Sequence, residues 1–236
     1  MNRETETSSS AVKDRRPLKT RSWRIFQTLA ARLATAGVTP NGISIASVVF
    51  AMLGACGFLI TGWSTDGAVM RGGWVLAMLG IQLRLIANLL DGMVAVEGGR
   101  ASATGPLYNE VPDRLSDPIL LIAAGYAYSS EPMAGWAAAV LALFVAYTRA
   151  IAASVGAGQL FLGPMAKQQR MALLTLVSMV ALVIPSSWMQ ILEIAHRPIG
   201  LIEISLWIMV VGSVFTAYRR LRAAAIYLTI QGKNNP

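Results

Sequence analysis

Long apolar segments dominate the hydrophobic pattern of this chain. They lie at about residues 43–62, 74–96, 107–129, 133–155, 170–191 and 199–218. Each has about the length that a helix needs to cross a bilayer, which is about 20 mostly apolar residues. Polar residues do not alternate within the first segment, which excludes barrel strands. The pattern predicts an all-α, polytopic membrane protein with six transmembrane helices, joined by loops that contain Gly, Pro or Asp.

A different pattern precedes the first apolar segment. Apolar residues follow helical spacing there, with arginines beside them: Trp23, Phe26, Ala30 and Leu33 against Arg21, Arg24 and Arg32. This pattern favours an amphipathic helix over residues 21–36 that lies in the membrane interface, with an ordinary solvated helix as the alternative. The predicted organisation is a disordered basic segment (1–20), this helix (21–36), a six-helix domain (37–222) and a cytoplasmic tail (223–236).

Composition and charge support a membrane location. The chain is 55% hydrophobic and only 14% charged, with a mean hydropathy of +0.54, whereas soluble domains carry about 25% charged residues. Basic residues concentrate before residue 41, around Lys167 and Arg170, and after residue 218. The positive-inside rule therefore predicts a cell (inner) membrane protein with both termini in the cytoplasm. No nucleic-acid module is recognisable, so the net charge of +8 is assigned to topology and to anionic lipid headgroups.

Ionisable residues within the second and third apolar segments are the most informative. Arg84, Asn88 and Asp91 are spaced by four and three, so they share one helical face. On the third segment, four polar residues fall on one side of the helix and Arg114 points more sideways: Asn109, Glu110, Asp113 and Asp117. A charge within a membrane is costly unless it is paired or lines a cavity. The two helices of this hairpin are therefore predicted to present oxygen ligands to one cavity that faces the cytoplasm.

Oxygen ligands without a nearby His or Cys suit hard divalent cations. The alternative is structural, with Arg84 or Arg114 neutralising Asp91 or Asp113. Glycines and prolines concentrate near these polar residues. Glycines leave the backbone accessible and prolines interrupt helical hydrogen bonds, so they favour a binding site over a purely structural role. They are Gly92, Gly98, Gly99, Gly105, Pro112 and Pro118.

At these residues the chain resembles the CDP-alcohol phosphatidyltransferase family. The family signature is D-x-x-D-G-x-x-A-R, then eight residues, then G-x-x-x-D-x-x-x-D. The chain reads N-L-L-D-G-M-V-A-V from Asn88 and G-P-L-Y-N-E-V-P-D from Gly105, at the same spacing. Asn88 and Asn109 stand at two aspartate positions, and Val96 stands at the arginine position. Two other segments also look like those of the family: Val38–Ile43 and Tyr147–Ala150.

The resemblance implies a six-helix fold whose second and third spans bind one or two divalent cations, Mg²⁺ or Mn²⁺. These cations would bind the pyrophosphate of a CDP-linked lipid such as CDP-diacylglycerol. Asp113 would act as the general base that deprotonates an alcohol acceptor, and CMP would be released. The implied metal ligands are Asn88, Asp91, Asn109 and Asp113, with Glu110 and Asp117 as further candidates. Family members are often homodimers, so a homodimer is expected.

The remaining implied roles concern the substrates. The implied substrate-binding positions are Gly92, Ala95 and Gly105. Arg84 or Arg100 would replace the missing motif arginine. Arg149, Lys167 and Arg170 would bind the phosphates of the substrates. The function expected is phosphatidyl transfer in phospholipid synthesis. Replacement of two carboxylates by amides lowers the attraction for cations but retains oxygen ligands. The alternative is therefore a catalytically silent member that binds a nucleotide-lipid or a partner enzyme.

Overall fold

The computed structural model describes residues 23–97, 103–194 and 197–234. Most of these residues are helical, as the hydrophobic pattern predicts. The helices are α1 (Arg24–Thr35), α2 (Pro40–Trp63), α3 (Gly67–Glu97), α4 (Gly105–Gly125), α5 (Pro132–Ser154), α6 (Lys167–Val183) and α7 (Leu201–Asn234). The predicted disordered segment 1–20 and the candidate Arg100 lie outside the described residues.

Four helices in the described part of the chain are long and apolar enough to cross a membrane: α2, α3, α5 and α7. The two other predicted spans correspond to α4 and α6. Helix α4 carries several charged residues in its first half, and α6 has only 17 residues. Six spans therefore remain a prediction, while a membrane protein with apolar helices is what the structure supports.

The predicted fifth span, 170–191, is too long at its carboxyl end. That segment is helical only to Val183, and residues up to 191 do not continue the helix. Pro185 explains the end, because a proline forces the residue before it into an extended conformation, which Ile184 adopts. A short antiparallel hairpin follows, with strands β1 (Gln190–Ile194) and β2 (Arg197–Gly200).

An ion pair attaches this hairpin to the last helix. Arg197 donates through both terminal nitrogens to the Glu203 carboxylate, at 2.9 and 2.7 Å. The Glu203 side chain is 1% exposed, so its charge requires a partner. Bidentate guanidinium contacts of this kind are geometrically specific. The pair therefore fixes β2 against the start of α7.

Helix α7 is longer than the predicted span. It continues past Arg222 to Asn234, so residues of the predicted tail are helical. At 1.5 Å per residue its 34 residues extend about 51 Å, well beyond a hydrocarbon core of about 30 Å. Within it, Arg220 is buried and donates to the carbonyl oxygens of Leu162 (3.0 Å) and Val145 (2.7 Å). One of the basic residues that we assigned to topology thus holds the α5–α6 connection in place.

Small residues let α2 and α3 pack with their backbones in contact. A Cβ at Gly80 would lie 2.3 Å from the Gly54 amide nitrogen, and a Cβ at Gly57 would lie 2.4 Å from that of Ala77. Close approach at glycines is a usual way for membrane helices to associate. Helix α4 packs against α2 and α5, α6 packs against α3, and α7 packs against α5. This arrangement brings α2 beside the polar face of α3.

Substitution of Gly80 by Ala is expected to lower the Tm of the detergent-solubilised protein. The added methyl group clashes with the α2 backbone, and overpacking of this kind costs about 1–3 kcal/mol. Gly72→Ala in the same helix is the matched control, because a Cβ at Gly72 meets no atom within 4 Å. A Gly80→Ala protein that unfolds at or above the Tm of Gly72→Ala would contradict the close contact between α2 and α3.

Helix α1 occupies the predicted amphipathic segment. Phe26, Ala30 and Leu33 pack together with the end of α3. Trp23 and Ile25 remain exposed, at 59% and 75%. The helix therefore has one face on the protein and apolar side chains on another, and its location in the membrane interface stays a prediction.

Candidate functional site

The polar faces of α3 and α4 meet between the two helices. Asn88 of α3 donates through Nδ2 to Oδ1 of Asp113 in α4, at 2.8 Å. The two residues are 25 positions apart in the chain and belong to the two separate halves of the sequence motif. The structure therefore brings the two halves of the motif together, in line with the prediction that the polar faces of these two helices meet.

Two basic side chains also contact Asp113. Arg84 Nη2 lies 3.1 Å from Oδ1, and Lys167 Nζ lies 2.5 Å from Oδ2. The Asp113 side chain is 15% exposed, so it lies at the edge of the site. Its two oxygens offer about four hydrogen-bonding positions. Within the described structure, Arg84, Asn88 and Lys167 take three of them.

A buried ion-pair network lies behind Asp113. Asp117 contacts Arg84 Nη2 at 2.5 Å through one oxygen and Arg170 Nη2 at 2.7 Å through the other. Arg170 also donates to the carbonyl oxygen of Met165 at 2.9 Å. The three charged side chains are at most 6% exposed, and buried charges are tolerated only when paired. This network joins α3, α4 and α6, and it gives Asp117 and Arg170 structural partners.

Asp91 faces a different helix. Ser44 of α2 donates through Oγ to Asp91 Oδ2 at 2.6 Å, and both residues are buried. Asp91 Oδ1 is buried, and no side chain in the described part of the chain donates to it. Asp113 and Lys167 are near enough for their charges to act on Asp91. Sequence reasoning missed Ser44, although a serine at the start of an apolar span, directly after the family-like segment Val38–Ile43, was an available signal.

A second charged cluster lies on the more exposed side of α4. Glu110 accepts from Arg149 Nη2 at 2.7 and 2.9 Å and also pairs with Arg114. These three residues line a cavity of about 420 Å³, together with Tyr147 and Gln159. Two guanidinium groups share one carboxylate, so the cluster keeps a net positive charge. The cavity is therefore suited to an anionic group.

The other predicted site residues lie around these clusters. Asn109 is exposed on α4, Gly105 is the first residue of α4, and Gly92 and Ala95 are half-buried in the last turns of α3. Val96, at the position of the motif arginine, is 50% exposed.

The arrangement does not fit the divalent-cation site that the resemblance implies. No group of three or more His, Cys, Asp or Glu residues in the described ranges could hold a metal ion. Both oxygens of Asp113 face cations, and Asn88 turns its amide N–H toward the same carboxylate. The amide at position 88 therefore acts as a donor to Asp113 and does not serve there as an oxygen ligand. Asp91 Oδ1 is the one oxygen of the two motif carboxylates that no side chain contacts in the described structure.

Comparison with solved structures identifies the kind of fold. The chain resembles phosphatidylinositol phosphate synthase (PgsA1) of Mycobacterium tuberculosis. With CDP-DAG bound, that protein aligns with a TM-score of 0.64 and 19% identity over 86% of this chain and 94% of its own. In complex with manganese and citrate the TM-score is 0.63, again with 19% identity, over 84% and 88%.

The apo form of the same synthase aligns with a TM-score of 0.60 and 19% identity, over 83% of this chain and 94% of the synthase. No family model matches the chain, and no curated protein matches it. At this identity the likeness is one of fold.

Proposed function

We propose that the protein transfers a phosphatidyl group from a CDP-linked lipid, such as CDP-diacylglycerol, to an alcohol acceptor, with release of CMP. The observation that carries this proposal is the contact between Asn88 and Asp113, which joins the two motif halves. It occurs in a fold similar to that of a synthase solved with CDP-DAG bound. The proposed setting is phospholipid synthesis in the cell (inner) membrane.

The reaction requires one proton transfer and one displacement at phosphorus. The acceptor oxygen forms a bond to the β-phosphorus, and the bond from that phosphorus to the bridging oxygen breaks, so that CMP leaves with the electron pair. The hydroxyl proton passes to Asp113, which has a fourth hydrogen-bonding position and lies at the site's edge. The adjacent Lys167 ammonium stabilises negative charge on the phosphates.

The proposed topology follows the basic residues. Helices α4 and α6 complete a set of six spans, and α1 lies in the interface with Trp23 and Ile25 toward lipid. Both termini and the site face the cytoplasm, in agreement with Lys167 and Arg170 at the start of α6. The resemblance adds a homodimer to this proposal.

The test of the function is CMP release by the purified protein in lipid nanodiscs that contain CDP-diacylglycerol. Glycerol phosphate, serine and inositol phosphate are offered as acceptors in separate reactions, each with Mg²⁺, with Mn²⁺ and with EDTA. We expect one acceptor to stimulate CMP release. Absence of release with every acceptor under all three conditions would contradict the proposal.

Replacement of Arg149 by Gln is expected to raise the KM for a phosphorylated acceptor about tenfold, because one charge-assisted hydrogen bond is lost. A phosphorylated acceptor is expected here because two guanidinium groups and one carboxylate give the cavity beside Glu110 a net positive charge. Arg71→Gln on the exposed start of α3 is the control. An unchanged KM, or activity with serine alone, would contradict an anionic acceptor in this cavity.

A silent, lipid-binding member is the second candidate function. It is favoured by the three donors that already occupy Asp113, since a base needs an accessible oxygen. Saturable binding of CDP-diacylglycerol without CMP release would support this second candidate.

A further inference from the structure

Two side-chain cations, Arg84 and Lys167, contact Asp113, one of the residues that the resemblance assigns to a divalent cation. We propose that Arg84 and Lys167 replace such divalent metals, so that the site binds the pyrophosphate of a CDP-linked lipid without a divalent cation. This inference rests on the proposed function for the choice of ligand. It goes further, because it removes the metal from the site.

Charge counting supports the replacement. The family pattern has four aspartates, whose four negative charges balance two divalent cations. Here two of the four remain, Asp91 and Asp113, and Arg84 and Lys167 supply two positive charges beside them. The pair of Asp117 and Arg170 is neutral by itself. Two added divalent cations would leave four uncompensated positive charges in a mostly buried site, which is strongly unfavourable.

The positions of the side chains are a second line of support for this replacement of metals by basic residues. Arg84 and Lys167 reach different oxygens of Asp113, at 3.1 and 2.5 Å, so both sides of the carboxylate face a cation. Asn88 donates to that carboxylate at 2.8 Å, whereas an aspartate at position 88 would repel it. The amide substitution and the two basic residues are therefore mutually consistent.

The two cations have different roles. Lys167 is 23% exposed, and its ammonium carries three donors, of which the contact with Asp113 uses one. It can contact a phosphate directly. Arg84 is fully buried, and its Nε and Nη1 groups are without hydrogen-bond partners in the part of the chain that the structure describes. Arg84 is a positioning residue, which orients Asp113 and contributes positive charge from behind the site.

The experiment combines two measurements on the purified full chain. The first titrates Mn²⁺ into the protein without nucleotide and follows free Mn²⁺ by electron paramagnetic resonance. The second measures the Kd of CDP-diacylglycerol in nanodiscs, in EDTA and in Mg²⁺. We expect no saturable Mn²⁺ binding and a Kd that EDTA leaves unchanged. Stoichiometric Mn²⁺ binding, or a Kd about tenfold weaker in EDTA (about 1.4 kcal/mol), would overturn the proposal.

Lys167→Met provides a variant arm at a partly exposed position. We expect it to weaken CDP-diacylglycerol binding about tenfold in EDTA, since one charge-assisted contact is lost. Arg222→Met, an exposed residue of α7, is the control. A Lys167→Met protein that binds the lipid as tightly as the wild type would contradict the role of Lys167.

Failure of the function and failure of this inference are distinguishable. Absence of CDP-diacylglycerol binding under every condition would refute the proposed function. The Mn²⁺ titration decides the metal question in either case, because it uses neither lipid nor nucleotide.

Discussion

Replacement of Asp113 by Asn is expected to lower the rate of CMP release by about 10²- to 10⁴-fold, the usual contribution of a general base. The amide has nearly the same volume, but it does not accept the proton of the acceptor hydroxyl. One negative charge is lost beside Lys167, so CDP-diacylglycerol should bind at least as tightly as before. The measurement is kcat for CMP release together with the Kd of the lipid. A large loss of kcat with an unchanged Kd separates a chemical role from loss of folding.

The matched control for this variant is Asp66→Asn. Asp66 precedes α3 at the end away from the site, and its Oδ1 accepts from the backbone amides of Ala68 (2.8 Å) and Val69 (3.0 Å). The hydrogen bonds from Val69 and Ala68 hold the pKa of Asp66 below its ordinary value. Asparagine is an equally good residue before a helix, so activity should be retained. An Asp113→Asn protein as active as Asp66→Asn would exclude Asp113 as the base.

Replacement of Arg84 by Met is expected to destabilise the protein by about 3–5 kcal/mol, the cost of removing one partner from a buried ion pair. Asp117 would keep only Arg170, and Asp113 would keep only Lys167 and Asn88. For a chain of this size the Tm should fall on the order of 10 °C. Thermal unfolding of the detergent-solubilised protein measures this change.

Two further variants separate the effect of the buried charge of Arg84 from that of losing any arginine in this helix. Arg84→Lys retains the charge but replaces the guanidinium, whose Nη2 contacts both Asp113 and Asp117, by a more strongly hydrated ammonium. Its Tm should therefore lie between those of Arg84→Met and the wild type. Arg71→Met removes an arginine from the exposed start of the same helix, and its Tm should not change. Equal Tm values for Arg84→Met and Arg71→Met would show that the buried network does not stabilise the fold.

The hydrophobic pattern predicted the long helices because an uninterrupted apolar run of about 20 residues is enough to define a span. Helices α2, α3 and α5 include the predicted segments 43–62, 74–96 and almost all of 133–155. The same criterion failed near residue 185, since the apolar run continues to 191 although Pro185 ends the helix. Helix α7 exceeded its prediction because apolar residues such as Ile226 and Leu228 continue beyond the basic cluster.

The sequence predicted which side of a helix each candidate residue lies on, but not which neighbouring side chain it contacts. Arg84, Asn88 and Asp91 share a side of α3, but at 100° per residue Asn88 and Asp91 differ in direction by about 60°. That difference is enough to turn Asp91 toward Ser44 on α2 while Asn88 meets Asp113 on α4. Periodicity within one helix does not reveal which neighbour each side chain meets. The pairing of Lys167 with Asp113 spans 54 residues and depends on the position of α6.

The most direct test is a crystal structure of the protein with CDP-diacylglycerol, prepared without added divalent cations. We expect the pyrophosphate between α3 and α4, with a phosphate oxygen at a hydrogen-bond distance of about 3 Å from Lys167 Nζ and the β-phosphorus beside Asp113. A CDP headgroup bound elsewhere, with Asp113 still enclosed by Arg84, Asn88 and Lys167 and remote from phosphorus, would refute the proposed site.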